Sequence, residues 1–341
     1  ARALGYVHGQ ERFFQMDLSR RDAAGELSAL FGAAAVAHDK KRRFHGLRRV
    51  AQGAIANARA DIRPLLEAYT QGVNAGLDEL RVRPFEYLLL RQSPHPWKTE
   101  DSALVILAMW LTLTDENAAR DLNLTRMRAV LPKVAFDYLT QAGSPLDAAL
   151  DGSVWSGLAL PSAAQFDVRK ASAALARAAP VRIANDSHLE GLLGSNNWAL
   201  AGSRSQHGGA IVANDMHLSL RVPNIWFRAR LQVPADGLDM VGVTLPGAPA
   251  LVVGSTGKIA WGFTNSYVDV ADLIELEVST AADGKQRYRS ASGPQTLAVR
   301  NEMIEVAGAD AVAFTVLDSQ WGPVQEVDGK LYAVSWLAHN P

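Results

Sequence analysis

Hydrophobic periodicity changes once along this chain, near Ser195, and that switch limits the fold more than any other feature. Before it, apolar residues recur at helical spacing in Phe13, Phe14, Met16 and Leu18, then in Leu65, Leu66, Tyr69, Val73 and Leu77. A third helix is expected over residues 102–113, with Glu100 and Asp101 near its positive N-terminal end and Pro94, Pro96 and Trp97 in the preceding loop. After the switch, short β-type runs fall at residues 211–213, 225–233, 251–253, 259–263, 273–278, 303–306 and 331–336. Turn signals separate them: Gly208-Gly209, Pro234-Ala235-Asp236-Gly237, Thr256-Gly257-Lys258 and Asp328-Gly329. Residues 151–194 are rich in Ser, Ala, Gly and Pro and read as a surface linker. A helical half followed by a strand half argues for an α+β fold over an alternating α/β one.

Composition removes several function classes. With 34 basic and 35 acidic residues the formal net charge is −1, so no charge excess points to a nucleic-acid partner. The absence of cysteine excludes thiol catalysis, thiolate metal sites and disulfides. The longest apolar run, residues 103–111, falls far short of the roughly 20 needed to span a bilayer, so no membrane role is expected.

Some apparent motifs fail on spacing. Gly254-Ser255-Thr256-Gly257-Lys258 resembles a phosphate-binding loop, but Val252 stands where its first Gly belongs and Ile259 follows the Lys, so a hairpin turn is the better reading. The basic run Lys40-Lys41-Arg42-Arg43 reads as a solvated helix end. The eight histidines lack zinc-ligand spacing. Trp198, Trp226 and Trp261, with no basic stripe beside them, are expected in the core.

The switch itself falls on Gly194-Ser195-Asn196-Asn197-Trp198. A Ser opening a strand becomes a nucleophile if the peptide bond before it is cut. Its freed α-amine, with a reference pKa of about 8, then serves as the base for its own hydroxyl. Gly194 gives the scissile bond the open approach that an N-to-O acyl shift requires. Taken alone, a Gly-Ser before a strand is usually only a turn.

The surrounding motifs favour the chemistry. The run Ala3-Leu4-Gly5-Tyr6-Val7-His8-Gly9-Gln10-Glu11-Arg12-Phe13-Phe14-Gln15-Met16-Asp17 is followed by Gly25-Glu26-Leu27-Ser28 and Tyr69-Thr70-Gln71-Gly72-Val73-Asn74-Ala75. Pro84-Phe85-Glu86-Tyr87, Trp97, Asp101 and the Gly194–Trp198 junction come next in order. Together these resemble the penicillin acylase family, the N-terminal-nucleophile amidohydrolases that include penicillin, cephalosporin and acyl-homoserine-lactone acylases. The resemblance implies a four-layered αββα sandwich, incomplete in this chain. It also implies a precursor organised as a helical α-subunit portion (1–150), a spacer removed on maturation (151–194) and the strand-rich start of a β subunit (195–341). Self-cleavage between Gly194 and Ser195 would leave the α and β segments as a heterodimer. Periplasmic or secreted localisation is implied as well.

Site roles carry over position by position. Ser195 is implied as nucleophile, and His217 as the residue that orients it or contacts the scissile amide. Asn265, in Trp261-Gly262-Phe263-Thr264-Asn265, is implied as a main-chain oxyanion donor. Ile106, Trp110 and Leu218 are implied to line the acyl pocket, although apolar helical residues are core by default. Asp269, Ala271 and Asp272, with Glu116, match a calcium site; two carboxylates around a free carbonyl suit a hard, oxygen-seeking ion. No organic cofactor is implied.

The chain opens without Met and stops at Pro341, so both ends are expected to be cut. A second oxyanion donor, an Asn side chain, is expected beyond Pro341. The expected function is hydrolysis of an N-acyl compound by a small-molecule amidase; the alternative is a non-catalytic binding protein that keeps the scaffold.

Overall fold

The computed structural model describes residues 1–114, 118–144, 146–167, 169, 194–218, 220–265 and 268–340. The chain divides into two compact units, Ala1–Asn117 with Leu192–Pro341, and Ala118–Gly191. The helices of the first unit are α1 (Arg2–Glu11), α2 (Phe13–Ala24), α3 (Ser28–Phe31), α4 (Val36–His45), α5 (Leu47–Ala56), α6 (Arg63–Asp78), α7 (Phe85–Leu90) and α8 (Thr99–Leu113). The second unit holds α9 (Ala119–Val130) and α10 (Lys133–Leu139). There, Leu139, Tyr138, Leu160 and Phe166 line a mostly apolar cavity of about 450 Å³. Most of the expected spacer, residues 168 and 170–193, lies outside the described residues.

The strands follow the switch at Ser195. They are β1 (Gly194–Leu200), β2 (Ile211–His217), β3 (Phe227–Val233), β4 (Leu238–Thr244), β5 (Leu251–Ser255), β6 (Ala260–Trp261) and β7 (Ala271–Glu275). Then come β8 (Val278–Thr280), β9 (Gln286–Tyr288), β10 (Gln295–Thr296), β11 (Ala298–Ile304), β12 (Val312–Ser319), β13 (Gly322–Val327) and β14 (Lys330–Trp336). They form a β1-β2 pair, a four-stranded sheet β3-β4-β5-β6, a five-stranded sheet β11-β12-β13-β14-β7 and a small sheet β10-β9-β8. Each described pairing is antiparallel. Mixed helix and sheet in separate stretches of chain make an α+β fold, as the periodicity argues. The segment 256–259 closes the β5-β6 hairpin, with Thr256 N–H donating to the Ile259 carbonyl at 2.9 Å.

Strands β4, β9, β10, β12 and β13 escape the sequence reading, and it touches β8 only at Val278. β4 carries Gly242 at its centre, where a Cβ would meet the Val253 carbonyl of β5 at 2.1 Å. A residue chosen for close backbone approach weakens the strand signal while serving the strand. Trp198 departs from expectation: it is 58% exposed, because among the described strands β1 pairs with β2 alone.

Helices α1 and α6 cross in unusually close contact. A Cβ on Gly5 would meet the Tyr69 carbonyl oxygen at 2.2 Å, and one on Gly9 the Val73 carbonyl oxygen at 2.3 Å. From the other side, Gly72 and Gly76 face the Arg2 and Tyr6 carbonyl oxygens at 2.0 and 2.2 Å. Two glycines one turn apart on each helix therefore let the backbones touch, and any side chain there would force them apart. The main core forms beside this crossing, from Leu4, Phe13, Met16, Tyr69, Tyr87 and Trp97 with Leu245 from the end of β4.

A buried polar relay ties the helices to the four-stranded sheet. Thr244 Oγ1 donates to the Phe227 carbonyl at 3.2 Å, so it accepts from His8 Nε2 at 3.0 Å. Gly247 N–H donates to the Tyr69 hydroxyl at 3.0 Å, and that hydroxyl donates to His8 Nδ1 at 2.7 Å. His8 is thereby held neutral with its proton on Nε2. Burial, and then the charge of Arg12, lower its pKa from 6.5 to about 4. A depressed imidazole pKa contributes stability that is complete above 6.5 and is lost as pH falls through 4. Over that window His8 costs the fold on the order of 3 kcal/mol. The advantage of wild type over His8→Gln should therefore shrink between neutrality and pH 4, measured by denaturant unfolding at each pH. An advantage that stays constant would show that His8 is not the titrating group.

Among the described residues, no helix is long and apolar enough to cross a membrane.

Candidate active site

Strand β1 places Ser195. Its register with β2 pairs Gly194 with His217, Ser195 with Met216, Asn196 with Asp215 and Asn197 with Asn214. Directly paired residues share a face and alternate along the strand. Ser195, Asn197, Asn214 and Met216 therefore lie on one face; Asn196, Asp215 and His217 lie on the other.

The segment after β6 meets the first of these faces. Asn265 N–H donates to Ser195 Oγ at 2.9 Å, and both residues are half-buried. The Asn265 side chain is turned away: its Nδ2 donates to the Leu113 carbonyl at the end of α8, at 3.1 Å. Of the sequence-implied set, Ser195 and Asn265 are thus brought together, through the main chain of Asn265.

His217 sits differently. Its Nε2 is 3.1 Å from Asp215 Oδ2 and 3.3 Å from Asn196 Nδ2, on the face opposite the Ser195 side chain. Asp215 also accepts from Asn196 N–H at 3.0 Å. The His217 hydrogen bond holds the exposed Asp215 carboxyl below its ordinary pKa; slight burial opposes the shift and the Asn196 N–H adds to it. What His217 brings toward the Gly194–Ser195 bond is its backbone, paired directly with Gly194.

The implied pocket residues do not share one space: Leu218, after β2, lines a cavity that Ile106 and Trp110 on α8 do not. A cavity of about 230 Å³ is lined by Leu218, Val105, Met109, Thr112, Ile225 and Leu245, among others. Leu218 follows β2, and Thr112 is the neighbour of Leu113, to which Asn265 is bound. Ile106 and Trp110 lie on another face of α8. Ile106 is 52% exposed, and Trp110 meets Trp336 of β14 edge to face at 6.5 Å. Helical periodicity reports which residues share a face, not which face borders a cavity.

Of the calcium donors, Glu116 lies outside the described residues. Asp269 and Asp272 are exposed, flanking buried Ala271 at the start of β7, where Ala271 pairs with Trp336. All are oxygen donors of the hardness calcium requires. Among the described residues, no group of three or more acidic or histidine side chains is gathered so that it could hold a metal.

Two residues of the site go unread in the sequence. Asp215, two positions before His217, is marked only by that same-face spacing. Asn214 has no signal as an isolated Asn in a strand, yet its Nδ2 donates to the Asn196 carbonyl at 2.8 Å and the Phe263 carbonyl at 3.0 Å.

Over 328 residues the chain is 32% identical to a penicillin acylase 2 proenzyme from a Pseudomonas species, covering 95% of this chain and 40% of the relative. Over 340 residues it is 32% identical to the acyl-homoserine lactone acylase QuiP of Pseudomonas aeruginosa, covering 94% and 37%. The chain thus spans about two fifths of the length of these curated relatives. A thermostable penicillin G acylase structure from Alcaligenes faecalis aligns over 42% of this chain and 25% of its own, at 26% identity and a TM-score of 0.36. Residues 1–341 match the penicillin amidase family along their whole length, and the chain belongs to that family.

Proposed function

We propose that this chain carries the nucleophile and one oxyanion donor of an amidohydrolase that cleaves small N-acyl compounds. The observation that carries the proposal is the Asn265 N–H, 2.9 Å from Ser195 Oγ. A preorganised donor beside a nucleophile is where the oxygen of a tetrahedral intermediate develops charge, and removing such a donor costs roughly 3–4 kcal/mol of transition-state stabilisation.

Maturation comes first. Ser195 Oγ attacks the Gly194 carbonyl carbon, the Gly194–Ser195 C–N bond breaks as the Oγ proton passes to the leaving nitrogen, and water hydrolyses the resulting ester to a Gly194 carboxylate and the Ser195 hydroxyl. The freed α-amine, with its reference pKa near 8, then accepts the Oγ proton. Oγ attacks the acyl carbon of the substrate, and the Asn265 N–H transfers its hydrogen bond from Oγ to the oxyanion. The tetrahedral species collapses, and the amine leaves with the proton that the α-amine held. Water, deprotonated by the same α-amine, releases the acid. His217 takes part through the strand pairing that holds Gly194 in place.

The acyl group occupies the space beside Leu218 and the Val105–Met109 face of α8. The substrate is an N-acyl compound, among acylated β-lactams, acyl-homoserine lactones and other N-acyl amines; the names of the relatives, a penicillin acylase and an acyl-homoserine lactone acylase, support this reading. The spacer between the two segments is lost, leaving a heterodimer, and the protein is periplasmic or secreted.

Glu116, Asp269, the Ala271 carbonyl and Asp272 are the residues that would hold a structural calcium ion, which would supply charge neutralisation and take no part in the steps above. Metal analysis of the purified protein, with Asp269→Asn and Asp272→Asn alongside, tests this. Unchanged calcium content in both variants would move the ion elsewhere.

Intact mass and N-terminal sequencing of protein made from the full-length gene test the mechanism. A new N-terminus at Ser195 is expected, together with release of acid from an N-acyl donor. An uncut chain would overturn it.

A further inference from the structure

We infer that Asn214 is a positioning residue, a clamp that holds the oxyanion donor segment against the nucleophile strand. The inference deepens the acylase reading above and rests on it.

Both hydrogen-bonded neighbours of the Asn214 amide are main-chain carbonyls, so only its NH₂ end can face them. One, Asn196 O, belongs to the residue after the nucleophile in β1. The other, Phe263 O, lies two residues before Asn265. A single planar group thus joins the backbone that carries Oγ to the backbone that carries the oxyanion N–H. The described contacts contain no other side chain bonded to both segments. The amide also has no room to drift: a Cβ on Gly262 would meet Asn214 Cβ, Cγ and Oδ1 at 2.7, 2.8 and 2.9 Å. Gly262 is therefore the residue that lets the clamp seat.

The arrangement leaves a cost in place. Asn214 Oδ1 is buried and has no hydrogen-bond partner. An orphaned buried acceptor is unfavourable and rarely kept without a compensating role. An apolar side chain would avoid it, but would lose both NH₂ bonds. Holding two backbones in register accounts for an amide here, with the orphan on its far side.

The test uses the protein made from its full-length gene. Asn214→Asp keeps the shape but turns both donors into acceptors facing carbonyls. Gly262→Ala leaves Asn214 intact and pushes it off its seat. Each should lower kcat by about 10- to 100-fold, a large part of what an oxyanion donor supplies, with KM changed less than about threefold. Ligand binding in the ground state does not use the donor, so the loss belongs to kcat. Self-cleavage at Gly194–Ser195, followed by intact mass, should slow in parallel. If Asn214→Asp is insoluble, Asn214→Ser makes the same comparison.

The outcomes separate. Variants that match wild type in kcat and in cleavage, while Ser195→Ala is inactive, overturn the clamp and leave the acylase standing. A rise in KM with kcat preserved also overturns it, since that would place Asn214 in substrate binding. Wild type that neither cleaves itself nor hydrolyses any N-acyl donor overturns the acylase reading, and the clamp with it.

Discussion

Replacing Ser195 by Ala should leave the Gly194–Ser195 bond intact and lower amide hydrolysis by at least about 10⁴-fold, the scale on which enzymes lose activity when their nucleophile is removed. Two separate losses meet in this one substitution. Without Oγ there is no atom to attack the Gly194 carbonyl, so the α-amine is never freed. Without the α-amine there is no local base, and Asn265 N–H has no partner on the strand. The contacts of β1 otherwise stay, because the Ser195 side chain is bonded to Asn265 alone among the described hydrogen bonds. Thermal unfolding should therefore move little. Intact mass and hydrolysis of a panel of N-acyl donors give the readout, with a serine-reactive acylating probe to label the mature wild type. Equal cleavage and labelling in the Ala variant would place the nucleophile elsewhere in the chain.

A second large effect lies far from this chemistry. Asp17 is fully buried on α2 and accepts from Arg20 Nε at 2.7 Å, Arg21 Nε at 3.0 Å and the Tyr87 hydroxyl at 2.6 Å. Arg20 also reaches Asp101 and the carbonyls of His95 and Pro96, and Arg48 bridges Asp101 to Glu26. Asp17→Asn keeps the volume but leaves two buried guanidiniums short of countercharge. Removing one partner from a buried ionic set typically costs about 3–5 kcal/mol, because the remaining charge stays desolvated. That is a large share of a domain's stability.

Burial raises the Asp17 pKa, but Arg20 and Arg21, with the Tyr87 hydroxyl, outweigh it and leave the carboxyl below its ordinary value of 3.8. The stability it contributes is present above that value and is lost as pH falls through the lower folded one. Denaturant unfolding should show Asp17→Asn well below wild type near neutrality, with the gap narrowing in acid. A gap under about 1 kcal/mol at neutrality would mean that the network repacks around the loss.

Much of this architecture is legible from residue order alone. Period-3.6 patterning marks α2, α6 and α8, and the Gly-rich turns mark the hairpins, because both signals are local. The nucleophile we propose is legible for the same reason: Gly194-Ser195 stands at the switch between the two periodicities, and the motifs around it lie in family order. Asn265 is legible only through the family, since a main-chain donor has no side-chain signature. Asn214 and Asp215 are harder still. Their meaning depends on β1-β2 register, and a one-residue shift would send each to the opposite face.

The glycines of α1 and α6 show the same division. Their spacing within each helix is written in the sequence, but that Gly5 and Gly72 admit one another's backbone follows from the crossing. So does the neutral state of His8, which requires Tyr69, Thr244 and Gly247 from distant parts of the chain. The sequence by itself determined the order of helices and strands, the position of Ser195 and the family. The tertiary structure alone decided that Asn265 N–H meets Oγ, that the His217 ring turns away from it, and that the Val105–Met109 face of α8 borders the cavity. Periodicity and turn chemistry act over a few residues, whereas each of these contacts joins segments whose separation along the chain carries no information about their distance in space.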